Sequence, residues 1–315
     1  MYRTGHIPDH PAVVARRAGL HLHPAFSTIM ALVASLPMQT TNRANLSVSR
    51  GGPGVLNQGP TGSCEGHAHS SAGTLRGANT GTSKGLISPT ALYLGALMCD
   101  SSVQPDGALS PVTDAGTMPS SILQAWQTFG ARLAANDPQY PADPATLYKD
   151  PSNQNSALIL PAPETLYADS PYRYNGAYFI TAQGTAALLQ ALSVLASGRT
   201  LTDAIPASGS EFQGYTGGVL GALSGETDHA NHILDYEWTG SNADWLAFIT
   251  ALSQGDVTTS TRLGVNLLFH SVNSWGLQWG EGDAVSTVSG GQYRANTDYF
   301  DQAESLCVVD IQLAA

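Results

Sequence analysis

The sequence predicts an α+β protein whose helices come first and whose strands come last. Three observations carry this reading. Before residue 131, apolar residues recur at helical spacing in three segments, each with its own start or stop signal. Between Asp137 and Pro171 a run of prolines (Pro138, Pro141, Pro144, Pro151, Pro161, Pro163, Pro171) marks an irregular connection. Beyond Gly198 the apolar residues fall in short runs, expected as strands around 200–205, 233–238, 263–273 and 307–312.

Taken in order, the first helix is expected over 64–79, entered through a sharp turn containing Gly59, Pro60 and Gly62. The second starts at Ser88, a natural N-cap with Pro89 at the first helical position. The third follows the turn Asp114-Ala115-Gly116-Thr117, is amphipathic through Trp126, and is closed by Gly130. Residues 185–196 form a fourth helix, ended by Gly198. Between Gly240 and Gly264, residues 245–252 are apolar at helical spacing and predict a short inserted helix. No internal repeat or low-complexity tract is present.

Composition bounds the partners. At 315 residues with 42% hydrophobic content, the chain buries a large core. A net charge of −11, with 13 Lys plus Arg and no basic run longer than Arg16-Arg17, excludes nucleic acid and anionic membrane surfaces as partners. No stretch approaches the roughly 20 apolar residues that span a bilayer. Arg16-Arg17 followed by apolar residues 25–35 imitates a signal peptide, but its charged part is long and contains prolines and histidines. Residues 1–36 are therefore expected as an N-terminal extension, with a pro-segment as the functional alternative, and localisation stays open. Only Lys84 and Lys149 are lysines, and 12% of residues are charged. That surface composition suits a component of a larger assembly, such as a virus or phage particle, with protein partners of its own.

The chemistry concentrates in Leu56-Asn57-Gln58-Gly59-Pro60-Thr61-Gly62-Ser63-Cys64-Glu65-Gly66-His67-Ala68. Cys64 opens a helix, whose N-terminus supplies partial positive charge and free N–H groups that favour a thiolate. Gln58, six residues earlier, can aim a carboxamide N–H at an acyl oxygen where charge develops.

Gln58-Gly59-Pro60-Thr61-Gly62-Ser63-Cys64-Glu65 resembles the active-site turn of papain-like cysteine peptidases, usually Gln-Gly-x-Cys-Gly-Ser-Cys-Trp. Thr61 stands where the family commonly has a disulfide cysteine, and Glu65 where it has tryptophan, as in disulfide-poor bacterial and phage-type members. Val272-Asn273-Ser274-Trp275-Gly276-Leu277-Gln278-Trp279-Gly280-Glu281-Gly282 resembles the family's Asn-Ser-Trp-Gly-x-x-Trp-Gly-Glu-x-Gly segment. The resemblance implies a two-lobe papain-like fold over 37–315, with a helical left lobe (about 50–135), a β-barrel-like right lobe (about 165–315) and the cleft between them. It implies that Asn273 orients the catalytic imidazole, that Trp275 shields that bond, and that the site needs no cofactor or metal.

Two histidines compete for the base. Asp228-His229-Ala230-Asn231-His232-Ile233-Leu234-Asp235-Tyr236 aligns without a gap to the family's Asp-His-Ala-Val-x-x-Val-Gly-Tyr strand if His229 is the base. If His232 is, three residues must be lost before Tyr236, which reverses the faces of all later side chains. The residue after the base, Ala230 or Ile233 accordingly, is expected to shape the main substrate pocket, with Trp275 also near substrate. Cys64 lies 165 residues before His229, beyond the roughly 130–150 typical of the group, so insertions are required. The 240–264 segment is one, expected near the cleft. Cys99 is expected as a free buried thiol, and Cys307 as unpaired or its partner. The pairs His21/His23 and His67/His69 diverge on a helix and do not make a metal site. The function expected is acyl transfer from a peptide or protein substrate to Cys64 and then to water, by a thiol peptidase. The alternatives are a cell-wall peptide amidase, or a catalytically weak binding component in which Glu65 raises the thiol pKa by like charge.

Overall fold

The computed structural model describes residues 36–44, 46–100, 112–153, 156–162, 172–180, 182–283 and 288–313. Apart from Leu36, the expected N-terminal extension lies outside these residues, as do His21 and His23. Among the described residues no helix is long and apolar enough to cross a membrane.

Three helices build the first lobe: α1 (Cys64–Asn79), α2 (Pro89–Asp100) and α3 (Pro119–Phe129). The start of α2 matches its sequence signal, since the Ser88 hydroxyl accepts the Ala91 N–H at 3.0 Å. Gly130 stops α3 at φ 77°, a conformation that favours glycine. The helices approach closely where α1 lacks side chains: a Cβ on Gly66 would lie 2.4 Å from the Pro89 carbonyl oxygen, and one on Gly73 2.4 Å from the Trp126 ring. Ile87, Leu92, Ile122, Leu123 and Trp126 fill the core between them. Among its described residues the proline-rich connection carries a short α4 (Pro144–Leu147), and it leads to the second lobe.

There α5 (Gly184–Ala196) covers a sheet of β1 (Tyr172–Phe179), β2 (Leu201–Ile205), β3 (Val219–Leu220), β4 (His229–Trp238), β5 (Leu267–Val272), β6 (Glu281–Asp283), β7 (Val288–Ala295) and β8 (Glu304–Leu313). The strand order is β1-β8-β2-β4-β5-β7-β3, with β6 also on β7. All pairs are antiparallel except β3 with β7. Among the described residues the end strands β1 and β3 are not paired with each other, so the expected barrel-like layer is an open path. Its core joins Leu188, Leu192 and Leu195 of α5 to Leu201, Ile233, Tyr236 and Phe269.

The two lobes meet where α1 lies along β4. Cys64 and Ala68 pack on Ala230, the Ser71 hydroxyl meets His232, and Leu75 packs with Leu234. Alternate strand residues thus face successive turns of the helix, which fixes the register between nucleophile turn and strand.

Several expectations need correction. The 263–273 strand begins only at Leu267; before it the chain forms α8 (Val257–Gly264), capped by the Asp256 carboxylate, which accepts the Thr259 N–H at 3.0 Å. The inserted segment is therefore two helices, α7 (Asn242–Gln254) and α8. It does not sit near the cleft. Trp245 and Phe248 of α7 pack on Trp238, with ring centroids 5.2 and 5.1 Å away. Trp238 ends the ten-residue strand that His229 begins, so about 30 Å of strand separates them. None of the three cysteines is in a disulfide, and Cys99 is only partly buried.

Candidate active site

The nucleophile turn is held from both lobes. On the strand side, Asn57 bridges Trp275, the Gln58 N–H donates to the Ser274 carbonyl at 2.8 Å, and the Gly276 N–H donates to Leu56 at 3.0 Å. On the helical side, the Gly62 N–H donates to Asp114 Oδ1 at 2.8 Å. Within the turn, Thr61 occupies the position expected of a disulfide cysteine. Its hydroxyl donates to the Gln58 carbonyl at 2.8 Å and lies 2.6 Å from Ser63 Oγ. The Gln58 carboxamide is fixed at both ends: Nε2 donates to the Thr61 carbonyl at 2.7 Å, and Oε1 accepts from the Ser274 hydroxyl at 2.5 Å. An amide nitrogen carries two N–H bonds, so this anchor uses one of them.

Cys64 heads α1 and is fully buried against Ala68 and Ala230. The next residue back along β4, His229, places Nε2 2.7 Å from Asn273 Oδ1. That oxygen also accepts the Ser274 N–H at 2.6 Å, which identifies it as an acceptor. The imidazole therefore carries its proton on Nε2, and Nδ1 is the basic nitrogen of the neutral ring. Trp275 lies over this pair with its ring centroid 4.8 Å from that of His229. Phe212, on the short α6 (Ser210–Gln213), stands 6.1 Å from His229 and 5.3 Å from Trp275. Trp279 and Tyr293 extend the aromatic wall around Phe212.

His232 is not part of this group. It faces α1, with Nδ1 2.8 Å from Ser71 Oγ, and burial pushes its pKa down to about 3, with His69 adding to the effect. His67, one turn beyond Cys64, sets Nδ1 2.8 Å from the Ser63 carbonyl oxygen. Burial lowers its pKa to about 4; the contact with Ser63 opposes this, and the nearby His229 adds to it. Both rings are neutral at physiological pH. Glu65 is buried, and its Oε2 runs along the helix to within 3.3 Å of His69 Nδ1.

Ala230 and Trp275, expected to line a substrate pocket, are only 1% and 2% exposed. Cys64 and His229 are as deeply buried as they are. A cavity of about 730 Å³ opens beside Thr227, between Pro206, Leu223, Phe300 and Leu306, and none of Gln58, Cys64, His229 and Asn273 lines it. Among the described residues no three His, Cys, Asp or Glu side chains are grouped to hold a metal. Sequence reasoning missed Phe212, Ser274 and Asp114 as neighbours of the site. Ser274 lay inside the recognised segment, and the spacing of Phe212 and Tyr215 was a helical-turn signal before Gly217-Gly218.

No protein-family model matches this chain, and no curated protein matches it by sequence. Solved structures do. Xylellain, a cysteine protease from Xylella fastidiosa, is 16% identical, with 98% of this chain and 95% of that chain covered and a TM-score of 0.58. The bromelain protease of Ananas comosus, solved with the inhibitor E64, is 15% identical over 87% of this chain and 99% of its own, with a TM-score of 0.54. The proform of a ragweed pollen allergen cysteine protease is 16% identical over 88% of this chain and 67% of its own, also with a TM-score of 0.54. The chain has the fold of the papain-like cysteine proteases.

Proposed function

We propose that this protein is a cysteine peptidase that hydrolyses peptide or amide bonds in peptide or protein substrates through a Cys64 acyl-enzyme. The observation that carries the reading is the His229 Nε2 to Asn273 Oδ1 hydrogen bond, with Cys64 at a helix N-terminus packed on the residue after that histidine. In the first step His229 Nδ1 takes the thiol proton, and the thiolate attacks the substrate carbonyl carbon. The oxyanion that forms is met by the Cys64 backbone N–H and a Gln58 carboxamide N–H. Collapse expels the amine, which takes the proton from His229 and leaves a thioester. Water, deprotonated by the same nitrogen, then releases the acid and restores the thiol. Asn273 holds the ring throughout, and Trp275 and Phe212 keep the bond dry.

The reading is supported against a catalytically weak binding component by the contact of Glu65 with His69, which gives that carboxylate a partner one turn along the helix. The test is an epoxide thiol inactivator followed by peptide mapping, alongside hydrolysis of a mixed peptide library. Selective, pH-dependent labelling of Cys64 over Cys99 and Cys307, with turnover abolished by Cys64→Ala, is expected. Indiscriminate labelling, or hydrolysis that survives Cys64→Ala, overturns the assignment.

A further inference from the structure

We propose that Asp114 is a positioning residue that holds the nucleophile turn at its working width, an inference that rests on the peptidase reading above. Asp114 is buried in the first lobe, 52 residues from Gly62 in sequence. Its Oδ1 accepts the Gly62 N–H at 2.8 Å and the Tyr93 hydroxyl at 2.6 Å. Its Oδ2 accepts the Tyr148 hydroxyl at 2.6 Å. The carboxylate thus gathers donors from the turn, from α2 and from the proline-rich connection.

The fit at Gly62 leaves no slack. A Cβ there would lie 3.0 Å from Asp114 Oδ1 and 3.0 Å from the Gly116 nitrogen, so the turn and the 114–116 segment are in direct contact. Gln58 at one end of the turn is tied to Ser274 in the second lobe, and Gly62 near the other end is tied to Asp114 in the first. The two oxyanion donors, the Gln58 carboxamide and the Cys64 N–H, flank this span. Their separation is therefore set by what each lobe holds. Tyr93 adds a further link, since its hydroxyl also accepts the Gly116 N–H at 3.3 Å. Hydrogen bonds to a charged acceptor are stronger and shorter than neutral ones, which suits a clamp at the position where Thr61 supplies no covalent bridge.

The experiment compares wild type, Asp114→Ala and Tyr148→Phe in two readouts: amide exchange of the turn peptide containing Gly62, and kcat and KM per titrated Cys64. Normalising to titrated thiol removes loss of folded protein from the comparison. For Asp114→Ala we expect exchange at least about tenfold faster and kcat about 100-fold lower, with KM within about threefold, as a displaced reacting group demands. For Tyr148→Phe, which leaves the Gly62 contact in place, we expect changes in the same direction and under about tenfold. A folded Asp114→Ala protein with wild-type exchange and wild-type kcat overturns the proposal; if that variant does not fold, wild-type values for Tyr148→Phe do so. Accelerated exchange in Asp114→Ala beside a wild type that cleaves no peptide leaves the clamp standing and removes the peptidase reading. An active wild type matched by Asp114→Ala removes the clamp alone.

Discussion

Asn273 Oδ1 receives two donors at once, the His229 Nε2–H at 2.7 Å and the backbone N–H of Ser274 at 2.6 Å. The second contact pins the carboxamide that pins the ring, so the imidazole orientation is inherited from the backbone at Ser274. Asn273→Ala should lower kcat by about 10–100-fold, the usual cost of losing an orienting partner behind a functional histidine. Turnover against pH checks it: the rate falls across the whole profile while the fold, followed by circular dichroism, is retained. Unchanged turnover would remove Asn273 from the mechanism.

Gln58 is held by Thr61 and Ser274 in the orientation proposed for an oxyanion donor. Gln58→Ala should cost roughly 10²–10³ in kcat with little change in KM, because the lost interaction belongs to the transition state. Steady-state kinetics on a single peptide substrate decide this. A variant that loses only affinity would reassign Gln58 to ground-state binding.

Gly66 sits inside α1, where alanine normally stabilises a helix by about 1 kcal/mol. Here the added Cβ would lie 2.4 Å from the Pro89 carbonyl oxygen and 3.1 Å from Tyr93 Cβ. The contact is with backbone and cannot relax by rotating a side chain. Gly66→Ala should therefore destabilise by about 1–3 kcal/mol. A urea midpoint equal to or above wild type would contradict the close packing of α1 on α2.

His67 and His232 are buried with pKa values lowered to about 4 and about 3 from an ordinary 6.5. Between those limits the unfolded chain binds more protons than the folded one. Stability is thus fully present above about pH 6.5 and falls as pH drops toward 4 and then 3, by up to about 1.4 kcal/mol per histidine per pH unit. Urea titrations from pH 7 to pH 4 should show this slope, and His232→Gln should reduce it. A flat stability profile over that window would show that these rings are not held neutral.

Much of the site was legible because its parts are local. Gln58 and Cys64 share one turn, Asn273 and Trp275 share another, and each segment carries its own residue pattern. His229 could be preferred over His232 because strand alternation penalises an odd shift, and the structure sets the two rings on different sides of β4 accordingly. The rest depends on distant partners. β3 is two residues long, and β7 contains Gly290-Gly291, so neither announces itself by periodicity. The placement of the 240–264 insertion depends on which end of β4 it leaves, and the Gly62–Asp114 bond joins residues that no local pattern connects. The helix over 257–264 was hidden because Val257-Thr258-Thr259-Ser260-Thr261 favours strands by propensity, and the Asp256 cap overrides it.

The position of β8 bears on when the protein becomes chemically competent. β8 lies between β1 and β2, and Cys307 pairs with Phe179 on one side and Thr202 on the other. At roughly 5–20 residues per second, the ribosome needs about 10–40 s to pass from Cys64 to Asn273, and longer to complete the sheet. Until Asn273 is made, the group of Cys64, His229 and Asn273 is incomplete. On the peptidase reading, a chain ending before Glu304 should show no selective labelling of Cys64 by the epoxide. Competence then depends on β8, which holds β1 to β2.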